Sequence, residues 1–216
     1  MVLALGTYSW PVMATTPDAE LEALRAGDEA AFRMLIDRYN GPMLRIAMGY
    51  VRDRQVAEDV VQETWLNCFQ GLERFEGRSS FKTWLFGILI NVARARRRKE
   101  SRLMPFASLF RRDDSDSRRP TVDPDRFNAM GMWTSLPSDW GGLPEARLLG
   151  RETLERVRVA IDALPEKQRD VIILRDVAGW DAEETSALLN LSPVNQRVRL
   201  HRARAAVRQA LEDYLR

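Results

Sequence analysis

Apolar side chains recur at three- and four-residue spacing through nearly the whole sequence, and no segment alternates apolar and polar residues as a half-buried strand would. That periodicity restricts the chain to an all-α fold. It fails at length in one place: residues 103–150 hold half of the ten prolines, Gly131, Gly141, Gly142 and Gly150, and the charged stretch from Arg111 to Arg119. Such a segment cannot sustain packed helices, so the sequence predicts two small helical domains joined by a long flexible linker over 103–147. Trp133 and Trp140 in that linker either dock on something or are incidental. A chain of 216 residues leaves each domain room for its own core.

The first domain is expected over 18–102. Phe32, Leu35, Ile36, Tyr39, Met43, Ile46 and Tyr50 form an apolar stripe after Asp28, a candidate N-cap, with a bend expected at Gly41-Pro42. A second helix follows Asp53 and carries Val56, Val60, Val61, Leu66 and Phe69. Gly71 and Gly77 mark its exit, and Ser79 or Ser80 can cap a third helix through Phe81, Trp84, Leu85, Ile88 and Val92. The second domain, 148–216, is expected to be helical with breaks at Pro165, Gly179 and Asn190-Leu191-Ser192-Pro193. Residues 1–17 lack the basic start and apolar stretch of a signal peptide and are expected to be a disordered tail, with Met13 as good a start as Met1. No apolar run reaches the length of a membrane span.

A net charge of only +2 conceals strong segregation. Arg94, Arg96, Arg97, Arg98, Lys99 and Arg102 oppose only Glu100, and residues 191–216 hold six arginines against Glu212 and Asp213. Two separate phosphate-binding faces follow. The single cysteine, Cys68, can build neither a disulfide within the chain nor a thiolate zinc site, which fits a reducing compartment; whether it senses anything is open. With one histidine and no zinc-hydrolase, deaminase or P-loop spacing, no catalytic residue, cofactor or metal site is expected.

The strongest local pattern is a helix-turn-helix over Asp181 to Arg208. Asp181 can cap the first helix with Glu184 reaching back to it, Ala187, Leu188 and Leu191 supply small and apolar packing positions, and Asn190 suits the left-handed helix exit. Ser192 then caps a second helix that opens on Pro193. Leu200, Ala203, Val207 and Leu211 face inward on it, leaving Arg197, His201 and Arg202 to meet a major groove in preference to forming only a solvated face.

Two further patches stand in the first half. A Gly/Ser loop, Gly77, Arg78, Ser79 and Ser80, leads into the aromatics Phe81 and Trp84 and then Asn91 and the basic run, a combination that suits a melted strand with an extruded base. Phe81 and Trp84 taken alone read as core, and Asn91 alone as solvated. Asp59, Gln62 and Glu63 cannot attract phosphate, so their face is either a protein-partner surface or simply solvated.

Ala57-Glu58-Asp59-Val60-Val61-Gln62-Glu63-Thr64-Trp65-Leu66, the Phe75 to Leu85 loop, Leu164-Pro165-Glu166-Lys167-Gln168-Arg169-Asp170-Val171 and Leu200-His201-Arg202-Ala203-Arg204 together resemble the group IV, or extracytoplasmic-function, sigma factors of the sigma-70 family. The resemblance implies a region-two domain at 18–102 and a region-four domain at 148–216, in a protein that binds core RNA polymerase and directs promoter-specific initiation in the cytoplasm. It implies that Asp59, Gln62 and Glu63 grip the clamp coiled coil of the largest polymerase subunit, with the second domain on the flap. It further implies that Gly77, Arg78, Ser79, Ser80 and Asn91 capture a flipped minus-ten base. Arg94, Arg96, Arg97 and Arg98 would hold the phosphates of that element, and Arg197, Val198, His201 and Arg202 would read the minus-thirty-five element. An anti-sigma factor is the further expected partner, able to hold the chain at the inner face of the membrane without direct membrane insertion.

The match is not uniform. Where the family usually has Gly-Thr-Val, this chain has Val194-Asn195-Gln196, so Gln196 takes the place of a buried valine; Val198 stands where a small polar residue is usual, and the linker is long. Either the helix start is repacked or its base preference differs. The competing reading is a two-domain regulator that binds an operator without polymerase, which would need a ligand pocket or dimer helix in the first half.

Overall fold

The structure, a computed structural model, describes residues 18–103 and 151–215. The expected tail, the linker and the start of the second domain at 148–150 lie outside the described residues. Among the described residues every regular element is helical. They form two compact units that do not follow chain order: residues 18–103 pack with Leu174–Leu191, and residues 151–173 pack with 192–215.

In the first unit α1 (Asp18–Arg25) precedes α2 (Glu29–Tyr50), whose start is fixed by Asp28: its Oδ1 accepts from the Ala30 and Ala31 amides at 2.8 and 3.2 Å. A cap of this kind contributes about 1 kcal/mol. The bend expected at Gly41-Pro42 does not end the helix, which runs on unbroken to Tyr50. An interior proline costs about 3 kcal/mol. Tyr39, Met43 and Ile46 on either side of it are fully buried, and each such side chain returns about 1.5–3 kcal/mol.

Asp53 caps α3 (Arg54–Gly71) in the same way, through the Gln55 and Val56 amides. Its buried face is Ala57, Val60, Val61, Thr64, Trp65 and Cys68, with the Thr64 hydroxyl donating to the Val60 carbonyl at 2.7 Å. Leu66 and Phe69, expected on the apolar stripe, are instead 61% and 49% exposed. Leu66 follows Ala57 by nine residues, about two and a half helical turns, and so points the opposite way.

A short 3-10 turn, Leu72–Arg74, leads to the Phe75–Ser80 loop, and α4 (Phe81–Leu103) follows. Ser80, one of the two candidates, is the cap: its Oγ accepts from the Thr83 amide at 3.1 Å. Helices α2, α3 and α4 pack on one another. Under the loop Phe75, Phe81 and Trp84 form an aromatic cluster, with Phe75 4.8 Å and Phe81 5.7 Å from Trp84 between ring centres. Gly71 lies close beside it: a Cβ there would stand 3.0 Å from Trp84 Cζ2, tighter than ordinary contact, so a larger residue would make the indole give by a few tenths of an ångström. The unit is completed by α7 (Ala182–Leu189) and the buried Trp180 before it, which pack on α4.

In the second unit α5 (Arg151–Ala163) and α6 (Glu166–Ile172) pack on α8 (Pro193–Leu215). Pro165 separates the first two, as expected, since the residue before a proline resists helical backbone angles. Carbonyls at and just past the end of α5 are met by the buried Arg169, whose guanidinium donates to the Ile161, Asp162 and Leu164 oxygens. Ile161, Leu164, Val171, Ile172, Leu200 and Ala203 form the core. After α6 the chain enters a π-helical turn, Ile173–Val177, which no local sequence signal foretells.

Candidate nucleic-acid and polymerase interface

The cap and turn chemistry of the helix-turn-helix is present at Asp181, Asn190, Ser192 and Pro193. Asp181 Oδ1 accepts from the Glu184 amide at 2.7 Å. Asn190 ends α7 with φ 51° and ψ 54°, the left-handed conformation that few residues other than glycine and asparagine take without strain. Ser192 Oγ accepts from the Asn195 amide at 3.2 Å, and Pro193 is the first residue of α8. Two expectations are corrected. The Glu184 carboxylate does not reach back to the cap but meets Lys82 Nζ at 2.5 Å, because a full cation outbids a neutral amide for a half-buried carboxylate. Ala187, expected to pack, is exposed, and the buried small residues are Thr185 and Ser186; Leu188 and Leu191 are half-buried.

On α8, Leu200 and Ala203 are buried, while Val207 and Leu211 are only half-buried. Arg197 and Arg202 are exposed and His201 is partly covered. Partial burial, then the Arg204 and Arg208 charges, hold the His201 imidazole below its ordinary value, so it is neutral at pH 7. Val194 and Val198, one turn apart, are 66% and 42% exposed beside Arg197. Gln196 sits where the family's valine would, buried, and its Nε2 has no hydrogen-bond partner among the described residues.

In the loop, Gly77 has φ 71°, an angle that side chains disfavour, and Gly77, Arg78 and Ser79 are exposed. Arg78 pairs with Glu76 at 2.7 Å, but both are so open to water that the pair contributes little. Phe75 and Phe81 are buried and Trp84 is half-buried, so these aromatics support the loop from below. Asn91 is exposed on α4, eleven residues past Ser80, about 16 Å along the helix axis.

The basic helix does not act as one group. Arg97 Nη1 donates to the Tyr50 carbonyl at 3.2 Å, tying α4 to the end of α2. Arg96 lies 3.5 Å from Asp59 and 3.6 Å from Glu100. Arg98 and Lys99 are exposed and Arg94 is half-buried. On α3, Asp59, Gln62 and Glu63 are exposed together with Leu66 and Phe69, giving a face both acidic and apolar; Val60 and Val61, expected beside it, are core. The sequence reading passed over Lys82, Trp180 and Glu184 as a group, since nothing local links positions a hundred residues apart. Among the described residues no helix is long and apolar enough to cross a membrane, and no cluster of three His, Cys, Asp or Glu could hold a metal ion.

Comparison with known proteins places residues 35–103 in the family described as Sigma-70 region 2 and residues 154–207 in that described as Sigma-70, region 4. The chain is 30% identical to the RNA polymerase sigma-H factor of Pseudomonas aeruginosa, over 91% of this chain and 94% of that protein. It is 29% identical to the ECF RNA polymerase sigma-E factor of Escherichia coli K12, over 93% and 97% of the two. Among solved structures, CnrH in complex with the cytosolic domain of CnrY shares its fold with a TM-score of 0.60 at 24% identity, over 90% and 96% of the two chains. The sigma factor RpoE from Bartonella quintana, in complex with the anti-sigma factor NepR, has a TM-score of 0.53 at 22% identity, over 84% and 96%.

Proposed function

Because the chain belongs to the sigma-70 family, as an RNA polymerase sigma factor of the extracytoplasmic-function kind, we propose that it divides promoter recognition between its two halves. A sigma factor associates with RNA polymerase and directs where transcription begins. In this reading residues 18–102 are the region-two domain and 148–216 the region-four domain, with 103–147 linking them.

The observation that carries the reading is the order of the two family matches, each falling on a different nucleic-acid-suited surface of one chain. Exposed Gly77, Arg78, Ser79 and Asn91 supply small polar donors and an open backbone for a minus-ten base, with Arg94, Arg96 and Arg98 behind them for phosphate and Arg97, one of whose N–H groups serves the Tyr50 carbonyl, beside these. Arg197, Val198, His201 and Arg202 meet the minus-thirty-five element from α8. Asp59, Gln62 and Glu63, with Leu66 and Phe69, take the clamp coiled coil: acidic groups repel DNA, and exposed apolar side chains among them favour a protein partner. The operator-binding regulator is not favoured, since region two occupies the half where its ligand pocket or dimer helix would lie.

The partners are then core polymerase, promoter DNA and an anti-sigma factor, as the relatives CnrH and RpoE are seen with CnrY and NepR. The chain works in the cytoplasm, and an anti-sigma factor can hold it at the inner membrane face. Run-off transcription with purified core polymerase on a library of genomic fragments tests the whole reading. Discrete start sites that appear only with this chain support it, and the absence of any would end it.

A further inference from the structure

Val194 and Val198 are the exposed large apolar residues of α8, at 66% and 42%, beside the exposed Asn195 and Arg197. The helix turns by about 100° per residue, so the two valines lie about 40° apart on one face, with Cβ atoms about 6 Å from each other. Measured round the helix from Val194, the buried Gln196, Leu200 and Ala203 fall between about 180° and 240°, on the side that packs on α5 and α6. Arg197 lies about 60° to one side of Val194, and Arg202 about 40° beyond Val198 on the other. The valines therefore stand at the centre of the outward arc and the two exposed arginines at its edges. Ser192 caps the helix and Pro193 opens it, which makes Val194 its second residue. The first turns of the second helix of a helix-turn-helix are the part that meets base edges.

Contact with water gives no reason for this pair, since each valine leaves apolar surface exposed and β-branched residues are weaker helix formers. The chemistry it suits is a methyl group. In the major groove thymine shows a methyl on carbon 5, as 5-methylcytosine does, and an apolar side chain is what gains from covering it. Neighbouring base pairs are about 3.4 Å apart in rise and displaced further by twist, so two valines about 6 Å apart suit two consecutive pairs.

We infer that Val194 and Val198 form a reader of two consecutive 5-methyl pyrimidines, which sets sequence choice at the middle of the α8 site, while Arg197 and Arg202 hold guanine edges or phosphates at its margins. The inference rests on the reading that α8 enters the minus-thirty-five element. It adds Val194 to the residues that choose bases there, and it makes the centre of the element a methyl-bearing step and not a pair of guanines. Valine does not sense the group at carbon 4, so 5-methylcytosine substitutes for thymine and cytosine methylation creates affinity.

The probe is holoenzyme formed from the full chain and core polymerase, on a promoter taken from its own start sites. Each thymine of the minus-thirty-five element, on either strand, is replaced singly by deoxyuracil, which removes only the methyl. Affinity is expected to fall about fourfold at each of two adjacent positions on one strand, about fifteenfold for both together, and not elsewhere in the element. Val194→Ala should erase the deoxyuracil effect at one of these positions and Val198→Ala at the other. Cytosine in place of either thymine should weaken binding, and a methyl on carbon 5 of that cytosine should regain about fourfold. No loss with deoxyuracil at any position overturns the inference on unsubstituted protein, where no misfolded variant can be blamed. A deoxyuracil effect that persists in both valine variants overturns it as well, as does 5-methylcytosine that regains nothing. If the chain gives no discrete start sites, the sigma reading fails by itself. The same substitutions are then made in duplexes that the full chain selects from a random library, and selected duplexes insensitive to deoxyuracil overturn the methyl reader.

Discussion

Arg96, on the helix assigned to DNA, lies 3.5 Å from Asp59, on the face assigned to polymerase. Asp59 is 54% exposed, so this pair contributes only about 0–1 kcal/mol to stability. Its significance is functional, since each partner holds the other's charge until a ligand competes for it. Asp59→Asn should weaken binding of core polymerase severalfold while leaving the unfolding midpoint almost unmoved and single-stranded DNA binding equal or stronger, because Arg96 gains freedom. Fluorescence anisotropy titrations against core enzyme and against a labelled oligonucleotide check this; wild-type core affinity in the variant contradicts the assignment of that face.

Gln196 buries an amide whose Nε2 has no hydrogen-bond partner among the described residues. Leaving such a group unmet costs about 1–3 kcal/mol. Gln196→Val should raise stability by that order, seen as a higher urea midpoint with an unchanged slope. A midpoint that stays or falls shows that the helix start has repacked around the amide.

His201 gives a pH signature with a definite sign. Burial and the two arginines lower its folded value, so below about 6.5 the unfolded chain binds the proton more readily and stability declines as pH falls toward the folded value. Phosphate near the ring acts oppositely, drawing a proton onto it. Affinity for promoter DNA should therefore strengthen as pH drops from 7.5 to about 6, and His201→Gln should flatten that slope. Equal slopes in the two proteins would remove His201 from the DNA face.

Reading and clamping on α8 separate by base substitution. Arg197→Ala should cost about 1–3 kcal/mol at one promoter position, whereas Arg204→Ala should weaken all sequences alike. Val198→Ala should remove any preference for thymine over deoxyuracil, a contact of about 0.8 kcal/mol for one methyl group. Competition binding on single-position promoter variants measures all three, and identical uniform losses would show that α8 supplies only attraction.

Burial pushes the Cys68 thiol up to about 12, which leaves about one molecule in ten thousand as thiolate at pH 8. Alkylation in native conditions should be negligible and become complete in denaturant. Rapid native labelling would instead make Cys68 a sensor candidate.

What the sequence determined by itself is the chemistry that acts within one turn of chain. Asp28, Asp53, Ser80, Asp181 and Ser192 cap helices because a short polar side chain meets amides two or three residues on, and Asn190 turns because its own backbone tolerates φ 51°. The all-α class and the family motifs followed from the same local regularities. Only tertiary structure decided which way these elements point and whom they meet. Leu66 fits an apolar pattern yet faces outward, since the arc of α3 toward α2 and α4 was already filled by Val60, Val61, Trp65 and Cys68, and Phe69 lies at the margin of that arc, stacked on Phe32 at 3.6 Å but 49% exposed. Glu184 satisfied a capping-box spacing but chose Lys82, Arg97 left the basic run for the Tyr50 carbonyl, and Arg96 found Asp59. In each case a long charged side chain selects the strongest partner within its reach, and that partner is set by how the helices pack and not by its neighbours in sequence.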